Sequence, residues 1–129
     1  QFMGISLSVA KRLEQQGIGA TVVDPLWALP VNPALVELAG QHDLVITIED
    51  GLIVGGLGAQ LELAMDAASV DVPVRQFGIP RQFLAAASRG EVLTELGLTD
   101  RQITQEILTR LAAAEKNQDA EQSSTEIKR

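Results

Sequence analysis

Cysteine and tyrosine are both missing from the 129 residues, and histidine and tryptophan occur once each, as His42 and Trp27. Without cysteine there is no disulfide framework and no thiolate metal site. A single imidazole excludes a histidine-rich zinc site. With only three phenylalanines beside the tryptophan, the chain lacks the aromatic platforms on which single-stranded nucleic acid stacks. Basic residues are also short. Ten Lys and Arg against seventeen Asp and Glu leave a formal charge of −7, the wrong sign for phosphate backbones or anionic lipid. No apolar run reaches the ~20 residues that span a bilayer, and the first residues lack the basic-then-apolar layout of a signal peptide. The expectation is a soluble, cytoplasmic domain that binds neither nucleic acid nor membrane.

What the chain does have is aliphatic side chains. Its hydrophobic fraction is 46%, against 3% aromatic. A core of Val, Ile, Leu and Ala suits helices packed on a sheet, and the length is that of one domain.

The apolar pattern alternates between helix and strand. Val9, Ala10 and Leu13 recur at helical spacing within 4–16, and Gly17 is a natural C-terminal stop. Ile18–Val23 is a short β-branched run closed by Asp24-Pro25, which predicts a strand. Asn32-Pro33 predicts a helix start, since Asn caps free amides and Pro at the first position loses no hydrogen bond. That helix is expected to reach about Gln41. Asp43–Ile48 reads as a strand covered on both faces, followed by a turn at Glu49-Asp50-Gly51. Ala59–Ala68 predicts a helix and Val72–Phe77 a strand, with Pro73 near its start and Gly78-Ile79-Pro80 breaking it. Short helices are expected at Arg81–Ala87 and Gly90–Leu96. Thr99 and Gln102 form a capping-box pattern before Ile103, Ile107, Leu108 and Leu111. From Glu115 the composition turns polar and aperiodic, so residues 1–114 are expected to form the domain and 115–129 a flexible polar tail.

Strands alternating with helices imply right-handed crossovers, and hence a three-layer α/β domain: a mainly parallel sheet with helices on both faces. A doubly wound unit normally opens with a strand, whereas this chain opens with a helix. The expectation is that the chain starts inside a larger protein, or that a preceding strand has been lost.

Two segments are candidates for chemistry. Glu49-Asp50 followed by Gly55, Gly56 and Gly58 lies at the C-terminal end of a predicted parallel strand, where ligands of open α/β sheets bind. Glycines entering a helix can also expose amides to an anion. The spacing is neither a dinucleotide fingerprint nor a phosphate loop. The alternative is a tight turn with close helix packing, its acids capping amides. Asp24-Pro25-Leu26-Trp27, with Pro30, follows the first predicted strand. Trp27 there suits an interface anchor, a stacking platform or plain core packing. His42 has no Ser or Cys nucleophile nearby and reads as a helix-end residue. No carboxylate pair or nucleophile–base set can be assembled. No catalytic, cofactor-binding or metal-binding residue is therefore assigned.

From the helix at 4–16 to Met65, the chain resembles the third domain of enzymes of the transketolase superfamily, a likeness that reaches to about residue 112. The shared layout is D-x-x-W/T-x-x-P, then E-[ED], then G-G-x-G, matched by Asp24, Trp27, Pro30, Glu49, Gly55, Gly56 and Gly58. Within the superfamily it is most similar to the 1-deoxy-D-xylulose-5-phosphate synthase family. That narrower likeness is carried by Gly78-Ile79-Pro80-Arg81-Gln82-Phe83 and by the run from Ser88 to Thr99. Pro30-Val31-Asn32 and Glu49-Asp50-Gly51 depart from the usual wording but keep its physical roles.

The resemblance implies the C-terminal domain of a larger homodimeric transferase of isoprenoid biosynthesis. The full-length form would condense pyruvate with glyceraldehyde 3-phosphate and release carbon dioxide. Thiamine diphosphate and Mg²⁺ would be bound by its other domains, and this domain would be an inactive scaffold packed on them. The seven matched residues then read as a structural and interface motif. Other readings are the equivalent domain of a transketolase or a 2-oxo-acid dehydrogenase beta subunit, or a stand-alone module that binds an anion or partner at Gly55–Gly58.

Overall fold

The computed structural model describes residues 2–84 and 86–127, with side chains as far as residue 121. In chain order the elements are α1 (Phe2–Glu14), α2 (Pro33–Ala39), β1 (Val45–Leu52), α3 (Leu57–Ala67), β2 (Val74–Ile79), α4 (Arg89–Glu95) and α5 (Asp100–Ile127). The two strands pair in parallel, with Val45 opposite Val74 and Ile48 opposite Phe77, and an irregularity between Ile48 and Leu52.

Side chains alternate across a strand, and here the alternation separates two cores. Ile46, Ile48 and Phe77 pack with Val9 and Leu13 of α1 and Ile103 and Ile107 of α5. Val45 and Val74 pack with Val36 and Ala39 of α2 and Leu61 and Met65 of α3. The result is the expected α/β architecture, a parallel sheet with helices on both faces. Met65, Leu98 and Ile103 are the most deeply buried large side chains.

The helix ends follow local chemistry. After α1, the Gly17 amide donates to Glu14 O and the Ile18 amide to Leu13 O, the paired bonds of a Schellman stop, with Gly17 at φ 78°. Asn32 Oδ1 accepts from the Ala34 amide at 3.0 Å, with Pro33 in the first turn. Ser88 and Glu91 form a full capping box at α4. Of the Thr99–Gln102 pair only half is present. Thr99 Oγ1 accepts the Gln102 amide at 3.3 Å and donates to Gln102 Oε1 at 2.6 Å, while Gln102 Nε2 donates to Thr94 O and not back to the cap backbone.

Several expectations are corrected. Ile18–Val23 is not a strand: a strand exists only through its ladder, and Gly19–Val23 form no backbone–backbone hydrogen bond among the described residues. Glu49-Asp50-Gly51 lie inside β1, not in a turn after it, and Gly78-Ile79 likewise belong to β2. No helix forms at 81–84 or 86–87, and Ala85 lies outside the described residues. Nor does α5 stop at Ala114, because it runs on to Ile127 where an irregular tail was expected. Ala112-Ala113-Ala114-Glu115-Lys116 are all strong helix formers, so the backbone continues although the side chains from Ala112 to Glu121 are exposed.

Ion pairs tie α5 back to both layers beside it. Asp100 accepts from the Ser8 hydroxyl and from Arg12 Nε at 2.9 Å. That hydroxyl, then the guanidinium, holds its carboxyl below the usual range. Glu106 pairs with Arg75 of β2 and, at 3.2 Å, with Arg110. Arg75 chiefly lowers the Glu106 carboxyl, with partial burial opposing. These groups are substantially exposed, so their value lies in fixing the docking angle of α5 more than in net stability.

Candidate functional site

Glu49 points to the α3 side of the sheet and reaches the start of that helix. Its Oε2 accepts the Leu57 amide at 2.7 Å and its Oε1 accepts the Gly58 amide at 2.7 Å. The Thr47 hydroxyl stands 3.4 Å from Oε1. A carboxylate on the first amides of a helix gains both charge-assisted hydrogen bonds and the favourable end of the helix dipole.

Space for this contact comes from missing side chains. A Cβ on Gly56 would lie 2.6 Å from the Leu52 carbonyl oxygen and against the Glu49 carboxylate. One on Gly58 would meet the Thr47 hydroxyl, Gln76 Cγ at 2.8 Å and Glu49 Oε1 at 2.9 Å. Gly55 serves the turn differently, with φ 76° and open space around it. The two amides that an external anion would need are therefore already occupied. Of the two readings open from the sequence, the geometry favours capping and close packing over anion binding.

The second candidate folds on its own hydrogen bonds. Asp24 Oδ1 accepts the Leu26 amide at 3.0 Å, and the Trp27 amide donates to Pro25 O at 2.6 Å. Leu26 adopts φ 56°, and the Leu29–Pro30 bond is cis. Plain core packing of Trp27 is excluded, since it is 80% exposed, as is Leu26 at 86%. Among the described residues no hydrogen bond joins this segment to the Glu49–Gly58 turn. The structure thus gathers Glu49, Gly55, Gly56 and Gly58 into one unit, and Asp24, Trp27 and Pro30 into another.

Sequence reasoning passed over further exposed apolar residues beside these segments. Leu52 and Val54 flank the turn, and Phe83, just past β2, is fully exposed. A signal was available: Leu52-Ile53-Val54 is an apolar run between Gly51 and Gly55 that fits neither helical nor strand spacing. Nearby, Arg89 pairs with Asp50 at 2.7 Å and lies over the Phe2 ring at 5.8 Å, pinning the starts of α4 and α1 to the far end of β1. His42 is structural. Its Nδ1–H donates to Leu38 O at 2.8 Å and its Nε2 pairs with the Thr21 hydroxyl at 3.0 Å, tethering the irregular segment to α2.

A family model described as transketolase, C-terminal domain, matches residues 1–103. The chain belongs to that family. Among curated members of the wider group, the 1-deoxy-D-xylulose-5-phosphate synthase of Mycobacteroides abscessus is 55% identical over 112 residues, 87% of this chain and 18% of the relative. The synthase of Rhodococcus jostii is 51% identical over 106 residues, 82% of this chain and 16% of its own. This transketolase C-terminal domain therefore spans less than a fifth of the curated relatives it matches. A solved split-gene transketolase, described as an inactive β4 tetramer, superposes with TM-score 0.72 at 27% identity, covering 86% of this chain and 35% of that one. Thus the described sheet, although only two-stranded, has the layout of the transketolase C-terminal domain.

Among the described residues no group of three or more His, Asp or Glu side chains could hold a metal ion. None of their helices is long and apolar enough to cross a membrane. The Glu49 carboxylate, committed to two amides, does not fit the role of a ligand for a diphosphate-bound Mg²⁺.

Proposed function

We propose that residues 1–114 are the C-terminal scaffold domain of a cytoplasmic, homodimeric 1-deoxy-D-xylulose-5-phosphate synthase. The parent enzyme condenses pyruvate with glyceraldehyde 3-phosphate and loses carbon dioxide. Thiamine diphosphate, with Mg²⁺, supplies the carbanion chemistry from the other domains. The observation that carries this reading is the 55% identity to a named synthase over 87% of the chain. It extends through the Gly78–Thr99 stretch that separates the synthases from transketolases and dehydrogenase subunits.

This domain's own part is mechanical. The Glu49–Gly58 turn holds α3 rigidly on the sheet. Leu26, Trp27, Leu52, Val54 and Phe83, exposed in this chain, supply apolar surface for companion domains, and Trp is a frequent anchor of such contacts. Asp24, Trp27, Pro30, Glu49, Gly55, Gly56 and Gly58 act as structural and interface residues. On this reading the chain alone neither turns over substrate nor binds thiamine diphosphate tightly.

The test is a chimaera. Residues 4–112 replace the corresponding segment of the M. abscessus synthase, and carbon dioxide release from pyruvate is followed with and without glyceraldehyde 3-phosphate. An active dimer is expected; a folded dimer without activity would overturn the assignment. Calorimetric titration of the 129-residue chain with thiamine diphosphate and Mg²⁺ is expected to give no heat of binding at micromolar concentration. Binding there would move the cofactor site into this domain.

A further inference from the structure

Asp50-Gly51 is the one place in the 129 residues where an aspartate or asparagine precedes a glycine. Such a pair is chemically weak in any chain. With no Cβ on the second residue, its backbone nitrogen can approach the side-chain carboxyl of the first. The fold decides whether that weakness is open to reaction.

Here three observations leave it open. The first is the ladder. Val45–Ile48 stand opposite Val74–Phe77, and the next matched pair is Leu52 with Ile79. Glu49, Asp50 and Gly51 therefore share Gly78 as their counterpart, a bulge that interrupts regular pairing at this point. The second is space. The Asp50 side chain is 47% exposed, and a Cβ on Gly51 would meet no atom within 4 Å. The third is how little holds the carboxylate. Arg89 Nη2 donates to Asp50 Oδ2 at 2.7 Å, and among the described residues no other hydrogen bond reaches this carboxylate. Asp100, by contrast, is held by Ser8, Arg12 and the Arg101 amide together.

We infer that Asp50-Gly51 is a modification site of the folded domain, where aspartate isomerises through a succinimide to isoaspartate, and that Arg89 guards it. In the first step the Gly51 nitrogen attacks Asp50 Cγ. A C–N bond forms, the nitrogen gives up its proton, and one carboxyl oxygen leaves as water. In the second step water adds to the main-chain carbonyl carbon of Asp50 and breaks its bond to the Gly51 nitrogen. The chain then runs through the former side chain, one carbon longer, and the former main-chain carbon ends as a carboxylate. One water leaves and one enters, so nothing is oxidised or reduced. Because the first step expels a carboxyl oxygen, the carboxyl must leave Arg89 before the ring can close.

The product would be felt beyond the bulge. Arg89 also lies over the Phe2 ring at 5.8 Å, so its pair with Asp50 ties the starts of α4 and α1 to β1. Isoaspartate carries its carboxylate directly on Cα, on a shorter arm, and withdraws it from Arg89. The extra backbone carbon enters a crowded place, since a Cβ on Gly78 would already come within 3.0 Å of the Gly51 carbonyl oxygen. It also creates an isoaspartyl carboxylate, the substrate class of carboxyl methyltransferases that use S-adenosylmethionine to repair such residues. The inference concerns the folded domain and holds whichever enzyme the parent is.

The test ages the folded 129-residue chain for several weeks at neutral pH. Isoaspartate is then read at each aspartate by electron-transfer fragmentation mass spectrometry, and by labelling with an isoaspartyl methyltransferase. Asp50 is expected to exceed Asp24, Asp43, Asp66, Asp71, Asp100 and Asp119 clearly. Gly51→Ala, whose Cβ meets nothing, is expected to bring Asp50 down to their level. Arg89→Ala is expected to speed the change by about threefold, the scale set by an exposed ion pair. Arg89→Lys keeps the charge and should leave the rate near that of the unchanged chain. No excess at Asp50 in the folded chain would overturn the inference. An excess found only in urea would do the same, because the fold would then close the site. Equal acceleration by Ala and Lys would overturn the guarding role and leave Arg89 a packing residue.

Discussion

Two turns in this molecule solve the same backbone problem in opposite ways. The Glu49–Gly58 turn places its left-handed residue at a glycine, Gly55 at φ 76°, and commits the carboxylate of Glu49 to two helix amides. The Asp24–Pro30 segment places its left-handed residue at Leu26, φ 56°, and leaves that side chain and Trp27 largely in solvent. The first is saturated by contacts within the chain. The second carries a conformation that disfavours an L side chain, by roughly 1–2 kcal/mol, together with exposed apolar area. A turn built for internal stability would not retain both features; a turn built to meet another surface can.

Substitutions that break this contrast rank by the contacts they disturb. Gly56→Val should have the largest effect, since its Cβ meets the Leu52 carbonyl oxygen, a backbone atom that cannot swing away. A loss of about 3 kcal/mol is expected in urea unfolding, or failure to fold. Glu49→Ala should lose about 2 kcal/mol by the same measurement, because two amides at the start of α3 lose their acceptor. A loss below about 0.5 kcal/mol would mean that water replaces the carboxylate freely.

The open turn should respond in the other direction. Leu26→Gly relieves the left-handed strain at some cost in unfolded-state entropy, for a net gain of roughly 0.5 kcal/mol in the isolated chain. The same change in the chimaeric synthase should weaken the dimer, read by analytical ultracentrifugation. The smallest effect on the isolated chain belongs to Trp27→Ala, expected to change its stability by less than about 0.5 kcal/mol. A loss above 1 kcal/mol would place the indole in a core after all and dissolve the contrast.

Much of this layout was legible in residue order because its signals are local. The Asn32-Pro33 start, the Gly17 stop and the apolar faces of α1, α3 and α5 depend on neighbours three or four residues away. The capping alternative for Glu49 was also readable as one of two options. Strand boundaries were not. Glu49-Asp50-Gly51 carries turn-like residues, yet it remains in β1 because Ile53 donates onward to Ile79 O and keeps the ladder closed. The run from Arg81 to Ala87 has helix-forming residues but no partner face, and no helix forms in its described part. The continuation of α5 past Ala114 was missed for the converse reason, since propensity sustains a helix whose apolar period has ended.

The sequence by itself determined the alternation of elements, the two-sided apolar character of β1 and the family to which the chain belongs, because periodicity, caps and motif spacing are properties of nearby residues. Only the tertiary structure decided the fate of the glutamate and of the β-branched run at Ile18–Val23. Glu49 became a helix cap because two glycines let α3 approach the sheet closely enough for its carboxylate to reach both amides. Ile18–Val23 stayed outside the sheet because a strand needs a hydrogen-bonding neighbour, and among the described residues no backbone hydrogen bond reaches Gly19–Val23.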